Sequence, residues 1–158
     1  MCVSQPFIVR EACRFRRTLQ RPEDLVATFR GTGVHLECVS DPPAIPVIDI
    51  DGVPWLPVFS DLAHLAAFLL GRGEAGSPAE HLLISGGRLL DLYLPGMPAG
   101  TTVILDPLQP HAVVLPPLTG IVPESIAIDR DLPGGPARPT VELSPYERPV
   151  ERTWGGVL

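Results

Sequence analysis

Residues 47–71 read VIDIDGVPWLPVFSDLAHLAAFLLG, and this run decides the fold. Val47 to Ile50 and Val53 to Phe59 are apolar runs on either side of Asp51-Gly52, a dipeptide that tolerates the positive φ of a tight hairpin turn. Pro54 and Pro57 each remove a ladder donor from the second run, so that strand is expected at a sheet edge, or paired on one side only. Ser60 predicts a helix cap, Asp61 favours the dipole of the first turn, and Leu62, Leu65, Ala66 and Leu69 recur at i, i+3, i+4 and i+7. Gly71 supplies the stop.

Working outward, a Gly/Ser/Pro loop from Arg72 to Pro78 leads to a short buried strand at His81–Ser85. Gly86-Gly87 then breaks the chain before a second short helix, Arg88–Leu94, ended by Pro95-Gly96. Thr101–Leu105 and His111–Leu115 read as strands around an Asp106-Pro107 turn, and Ser125–Asp129 as one more extended piece. Alternating strands and helices predict a mixed sheet with two parallel crossovers and a hairpin at each end. On this reading residues 45–130 form the domain. Residues 1–44 are an N-terminal basic extension opening on Phe7-Ile8-Val9 and holding one short helix, Pro22–Arg30, with Pro22 in the first turn and Gly31 as its stop. Residues 131–158 are a C-terminal proline-rich tail, with Pro133, Pro136, Pro139, Pro145 and Pro149 preventing helix. The expected class is α/β (α+β): a small mixed β-sheet with two or three helices and extended segments at both ends.

Composition narrows the function. At 158 residues, 45% apolar and 19% charged, the chain is expected to be one ordinary domain with tails rather than a charged disordered polymer, and 20 Pro and 15 Gly predict that part of it does not pack. It contains no lysine, which excludes a Walker A loop, a pyridoxal Schiff base, a kinase ion pair and a Ser-x-x-Lys nucleophile. Of the net charge of -6, residues 1–30 carry six Arg against three acids, and the remainder is strongly acidic. An acidic body repels nucleic acid and anionic membranes, so Arg10, Arg14, Arg16, Arg17 and Arg21 read as a solvated basic arm. The mismatch between arm and body also suggests an upstream extension, with Val34 or Val39 as alternative starts. Cys2, Cys13 and Cys38 are too few and too scattered for a disulfide framework or a zinc pair, and fit a reducing cytoplasm. Leu65–Leu70, the longest apolar stretch, is too short to span a bilayer.

Trp55-Leu56-Pro57-Val58-Phe59-Ser60-Asp61 resembles the "LPVFTS" signature of the SseB N-terminal-domain family. Gly87-Arg88-Leu89-Leu90 followed by Val103-Ile104-Leu105-Asp106-Pro107 is similar to its "LL…lvlNP" segment, and Val114-Leu115-Pro116-Pro117 to its closing strand. The resemblance spans Ile45 to Pro117, with Asp106 where the family usually has Asn. Thr119–Pro123 into Ala127–Asp129 looks like actinobacterial versions of the domain. The family implies a small α/β unit and no established catalytic motif.

Several side chains are candidates for chemistry. Asp106 and His111 are the most plausible polar pair, because a turn at the carboxyl end of a central strand is where open α/β sheets present ligands, and His64 and Asp61 could approach the same edge. His35-Leu36-Glu37-Cys38 begins like a zinc deaminase signature but lacks the later Pro-Cys-x-x-Cys, which favours an ordinary strand. Cys13 has no phosphatase-type Arg after it, and Ser85 lies in no nucleophile elbow. Trp55 and Phe59 alternate on one strand face, where core packing is the leading account; beside an open edge the functional alternative is a groove for an extended partner. Tyr146, Val150 and Trp154 are apolar residues in a tail without a core of its own; Trp154 is costly to leave wet. The function expected from these readings is a non-enzymatic protein-interaction or regulatory module of SseB-like type, binding a protein partner or itself through Trp55, Phe59, Asp106, His111 and Trp154. Neither a cofactor nor a metal is expected, nor nucleic acid or membrane. The alternative is a small-ligand-binding regulator or enzyme using Asp106 and His111.

Overall fold

The computed structural model describes residues 7–18, 22–40, 43–74 and 80–131. In chain order these form α1 (Phe7–Thr18), α2 (Pro22–Gly31), β1 (Gly33–Ser40), β2 (Pro43–Ala44), β3 (Ile48–Ile50), β4 (Val53–Val58), α3 (Leu62–Gly71), β5 (Glu80–Ser85), α4 (Gly86–Arg88), β6 (Thr102–Leu105) and β7 (Val113–Leu115). A π-helical turn, Leu89–Tyr93, and a 3₁₀ turn, Leu94–Gly96, continue α4. The strands form two sheets, β3-β4-β6-β7 and β2-β1-β5, giving a mixed α/β fold. No helix among the described residues is long and apolar enough to cross a membrane.

The Asp51-Gly52 turn has positive φ at both residues, 54° and 80°, the geometry whose twist matches a two-residue hairpin. It closes on the Ile50–Val53 pair. The edge position predicted for the second strand is wrong: β4 lies between β3 and β6. Backbone N–H groups alternate sides along a strand, so Pro54 and Pro57 face opposite neighbours. Pro54 faces the β6 side one residue before β6 begins to pair, at Trp55–Thr102, and Pro57 faces the β3 side beyond the last β3 pair, at Ile48–Trp55. Each missing donor falls where its neighbour has no strand to bond.

β4 and β6 pair in parallel, from Trp55–Thr102 to Val58–Leu105, and a hairpin flanks them on each side. The expected second parallel crossover is absent because β5 leaves this sheet. It pairs antiparallel with β1 from Gly33–Ser85 to Cys38–Glu80. Reciprocal backbone hydrogen bonds between His35 and Phe59, 2.8 and 2.9 Å, join the two sheets. His35–Cys38 is thus an ordinary strand segment, its Glu37 ion-paired to Arg72 at 3.0 Å.

Residues 7–40 supply two helices and a strand rather than one short helix. Ile8, Val9 and Ala12 are buried in α1, with Cys13 packed against the core, a stripe at i, i+1, i+4 and i+5. Leu25, Val26 and Phe29 of α2 and Val34 and Leu36 of β1 join the same core, together with Leu56, Val58, Val103 and Leu105. The opposite face of the four-stranded sheet is covered by α3, whose Leu65, Phe68 and Leu69 pack on Phe59. Burial on both faces explains the uninterrupted apolar run of β4. Gly86 is fixed by close approach: a Cβ there would stand 2.1 Å from the Phe29 carbonyl oxygen. The extended piece expected at Ser125–Asp129 is instead a turn leading into a 3₁₀ turn, Ile128–Asp131, because the Asp129 carboxylate accepts both the N–H and the hydroxyl of Thr119. Cys2, Arg21, Tyr146, Val150, Trp154 and the rest of the tail lie outside the described residues.

Candidate functional site

The parallel register brings the carboxyl ends of β4 and β6 side by side, with the start of α3 above them. Side chains alternate faces, so Val103 and Leu105 point into the main core and Asp106, one step further, points toward α3. Asp106 is fully buried. Its Oδ1 accepts the Ser60 backbone N–H at 2.8 Å and stands 3.1 Å from His64 Nδ1. Its Oδ2 accepts the Ser60 hydroxyl at 2.6 Å and meets His111 Nε2 at 2.9 Å. Three hydrogen bonds, two from Ser60 and one shared with His111, therefore satisfy the buried carboxyl, with His64 Nδ1 close beside it.

Asp61 is the helix cap: it accepts the His64 backbone N–H at 2.9 Å. The cap expected at Ser60 is thus displaced by one residue, because the Ser60 hydroxyl is committed to Asp106. The Asp61 carboxylate also lies 3.7 Å from His64 Nδ1. That ring nitrogen consequently faces Asp106 Oδ1, the Ser60 Oγ at 3.1 Å and Asp61 Oδ1, more oxygen than one N–H can serve. The His64 and His111 rings are 5.2 Å apart.

The loop after β6 is strained. Asp106 has φ 47° and Leu108 has φ 68°, both left-handed without being glycine. Asp106 also precedes Pro107, where extended backbone is favoured. The hydrogen bond from Asp106 N–H to the Val58 carbonyl, 2.8 Å, and the four contacts of its side chain hold this conformation. Strain over-determined in this way, at a strand end, is characteristic of working sites.

Ser60, His64 and Asp106 do not form a hydrolytic triad. In a triad the acid and the nucleophile sit on opposite ring nitrogens, whereas here both meet Nδ1 and the serine proton points to the acid. What the arrangement offers is a convergent set of two imidazole nitrogens and a carboxylate, all within 4.8 Å of one another. Among the described residues this is the one such group of three.

Of the residues singled out by sequence, Asp106, His111, His64 and Asp61 come together. Trp55 and Phe59 do not form an edge groove: Trp55 is half-buried opposite Ile48 and Thr102, and Phe59 is fully buried beneath α3. Trp154 lies outside the described residues. Ser60 is the member that sequence reading gave a different task. A second histidine pair stands nearby, His35 and His81, with rings 5.4 Å apart. Burial lowers the His35 pKa, the neighbouring His81 adds to the effect, and Asp61 opposes it. Its Nδ1 is buried without a partner among the described residues. No family model, curated protein or solved structure matches the chain.

Proposed function

We propose that this chain is a non-enzymatic regulatory domain of SseB-like type that takes a small cationic ligand at the strand-end centre of Asp106, His64 and His111. One observation carries the reading: a fully buried carboxylate, held on left-handed backbone, at which two histidine nitrogens converge. A carboxylate at the base of a site, ringed by the oxygens of Ser60 and Asp61, selects positive charge. Access lies on the side of His64 and Asp61, whose side chains keep 21% and 39% of their exposure.

The test is thermal denaturation of the native chain and of His64→Gln and His111→Gln, with methylammonium, guanidinium and divalent cations as probes. A ligand at 100 times its Kd stabilises by about 2.7 kcal/mol, a shift of roughly 10 °C for a domain of this size. The shift should appear in the native chain and shrink in both variants. Equal shifts in all three proteins, or none with any probe, would remove the reading.

A second reading, a protein-interaction module, is favoured by the two exposed leucines beside the site. Leu70 is 64% and Leu108 75% exposed, and Leu108 packs beside Gly71 at the end of α3. Self-association in sedimentation that is lost in Leu70→Asp and Leu108→Asp would support it over a lone ligand site.

A further inference from the structure

We infer that His64 Nδ1, Asp106 and His111 Nε2 form a binding site for one divalent transition-metal ion of the zinc class. The inference rests on the reading of this centre as a cation site and names the cation. The first support is metrical. The two imidazole nitrogens stand 3.1 and 2.9 Å from the oxygens of one carboxylate. Ligand atoms about 2.0–2.1 Å from a tetrahedral ion are separated from each other by roughly 3.3 Å. The three ligand atoms lie within 4.8 Å of one another, a span that side-chain rotation draws in to coordinate one ion.

The second support is the count of protons. Without an ion, a ring meets an Asp106 oxygen as a donor, through a proton on the facing nitrogen. His64 Nδ1 then has one proton for three oxygens, those of Asp106, Ser60 and Asp61. With an ion, each ring moves that proton to its other nitrogen and offers a lone pair. The ion faces the oxygens in place of the proton. Two imidazoles with one carboxylate suit zinc, cobalt or nickel, whereas calcium and magnesium call for oxygen ligands throughout.

The third support is the surrounding shell. The Ser60 N–H and hydroxyl bind one oxygen each of Asp106, which fixes the carboxylate plane before any ion arrives. Three protein ligands leave a fourth position for water or a partner's donor.

The experiment uses the full chain, stripped by chelation and titrated with ZnCl2 and with CoCl2. The expected result is one equivalent bound per chain, visible cobalt absorption of tetrahedral intensity, and a zinc-dependent rise in melting temperature. His64→Gln and His111→Gln should remain folded and weaken binding at least about tenfold, the low end of what even an outer-shell change does to metal affinity. Cys38→Ser and Cys13→Ser should bind as the native chain does, which separates this site from stray thiolates. Equal zinc affinity in the His64→Gln/His111→Gln double variant would overturn the assignment. If zinc and cobalt fail while guanidinium or methylammonium shifts the native chain in a His111-dependent way, the metal is wrong and the cation site stands. If neither class acts, both fall.

Discussion

Asp106 separates two kinds of substitution that remove the same charge. In Asp106→Asn the side chain keeps its shape. With the amide oxygen at the Oδ1 position it still accepts the Ser60 N–H and faces His64 Nδ1. The amide nitrogen then faces the Ser60 hydroxyl and His111 Nε2, and both can adapt, the hydroxyl by turning and the ring by changing tautomer. The loss is the charge assistance of these bonds, about 1–2 kcal/mol, and asparagine is at ease at φ 47°. Asp106→Ala removes every acceptor at once. The Ser60 N–H has no freedom to turn, His111 loses its partner, the Ser60 hydroxyl is left with His64 Nδ1 at 3.1 Å, and a Cβ-only residue keeps the left-handed strain. Two stranded buried groups at about 1–3 kcal/mol each, with about 1 kcal/mol of strain, sum to about 3–7 kcal/mol, centred on about 5 kcal/mol. Urea denaturation followed by circular dichroism, in buffer with a chelator so that no metal contributes, should place alanine about 3 kcal/mol below asparagine. In melting temperature that is roughly 10–15 °C. The reasoning is refuted if asparagine costs as much as alanine, or if alanine lies within 1 kcal/mol of the native chain.

Gly86→Ala should destabilise by about 3 kcal/mol or more, since its Cβ would meet the Phe29 carbonyl at 2.1 Å, whereas Gly87→Ala, 3.2 Å from the Arg30 carbonyl, should cost under about 1 kcal/mol; matched denaturation curves decide it, and equal costs would refute the close approach. His35 has a folded-state pKa below its ordinary value of about 6.5, so the unfolded chain binds its proton first as pH falls. Its contribution is complete above the ordinary value and is lost as pH drops from there through the folded value. Stability measured against pH should therefore fall less steeply below that point in His35→Gln than in the native chain, and an unchanged slope would contradict the burial argument.

The strand-end location was legible because it rests on a topological rule: Asp106-Pro107 follows an apolar strand, and His111 is close enough in sequence to return to it. Ser60 was not legible as a partner of Asp106, since the two are 46 residues apart and nothing local distinguishes a capping serine from one whose hydroxyl is taken elsewhere. α1 carried a readable signal, the spacing of Ile8, Val9, Ala12 and Cys13, which the arginines between and after them obscured. The π-helical turn at Leu89–Tyr93 had none, because its ring size depends on packing rather than on the preferences of its residues.

The sequence by itself determined the short-range features: the Asp51-Gly52 hairpin, the α2 and α3 helices and the approximate spans of β5, β6 and β7. These follow from backbone freedom, caps and periodicity, forces that act within a few residues. Only the tertiary structure decided which strands pair: β5 with β1 in place of the main sheet, and β4 inside that sheet despite two prolines. Register, and with it the meeting of Ser60, His64, Asp106 and His111, is set by burial of whole faces, which no segment can satisfy alone.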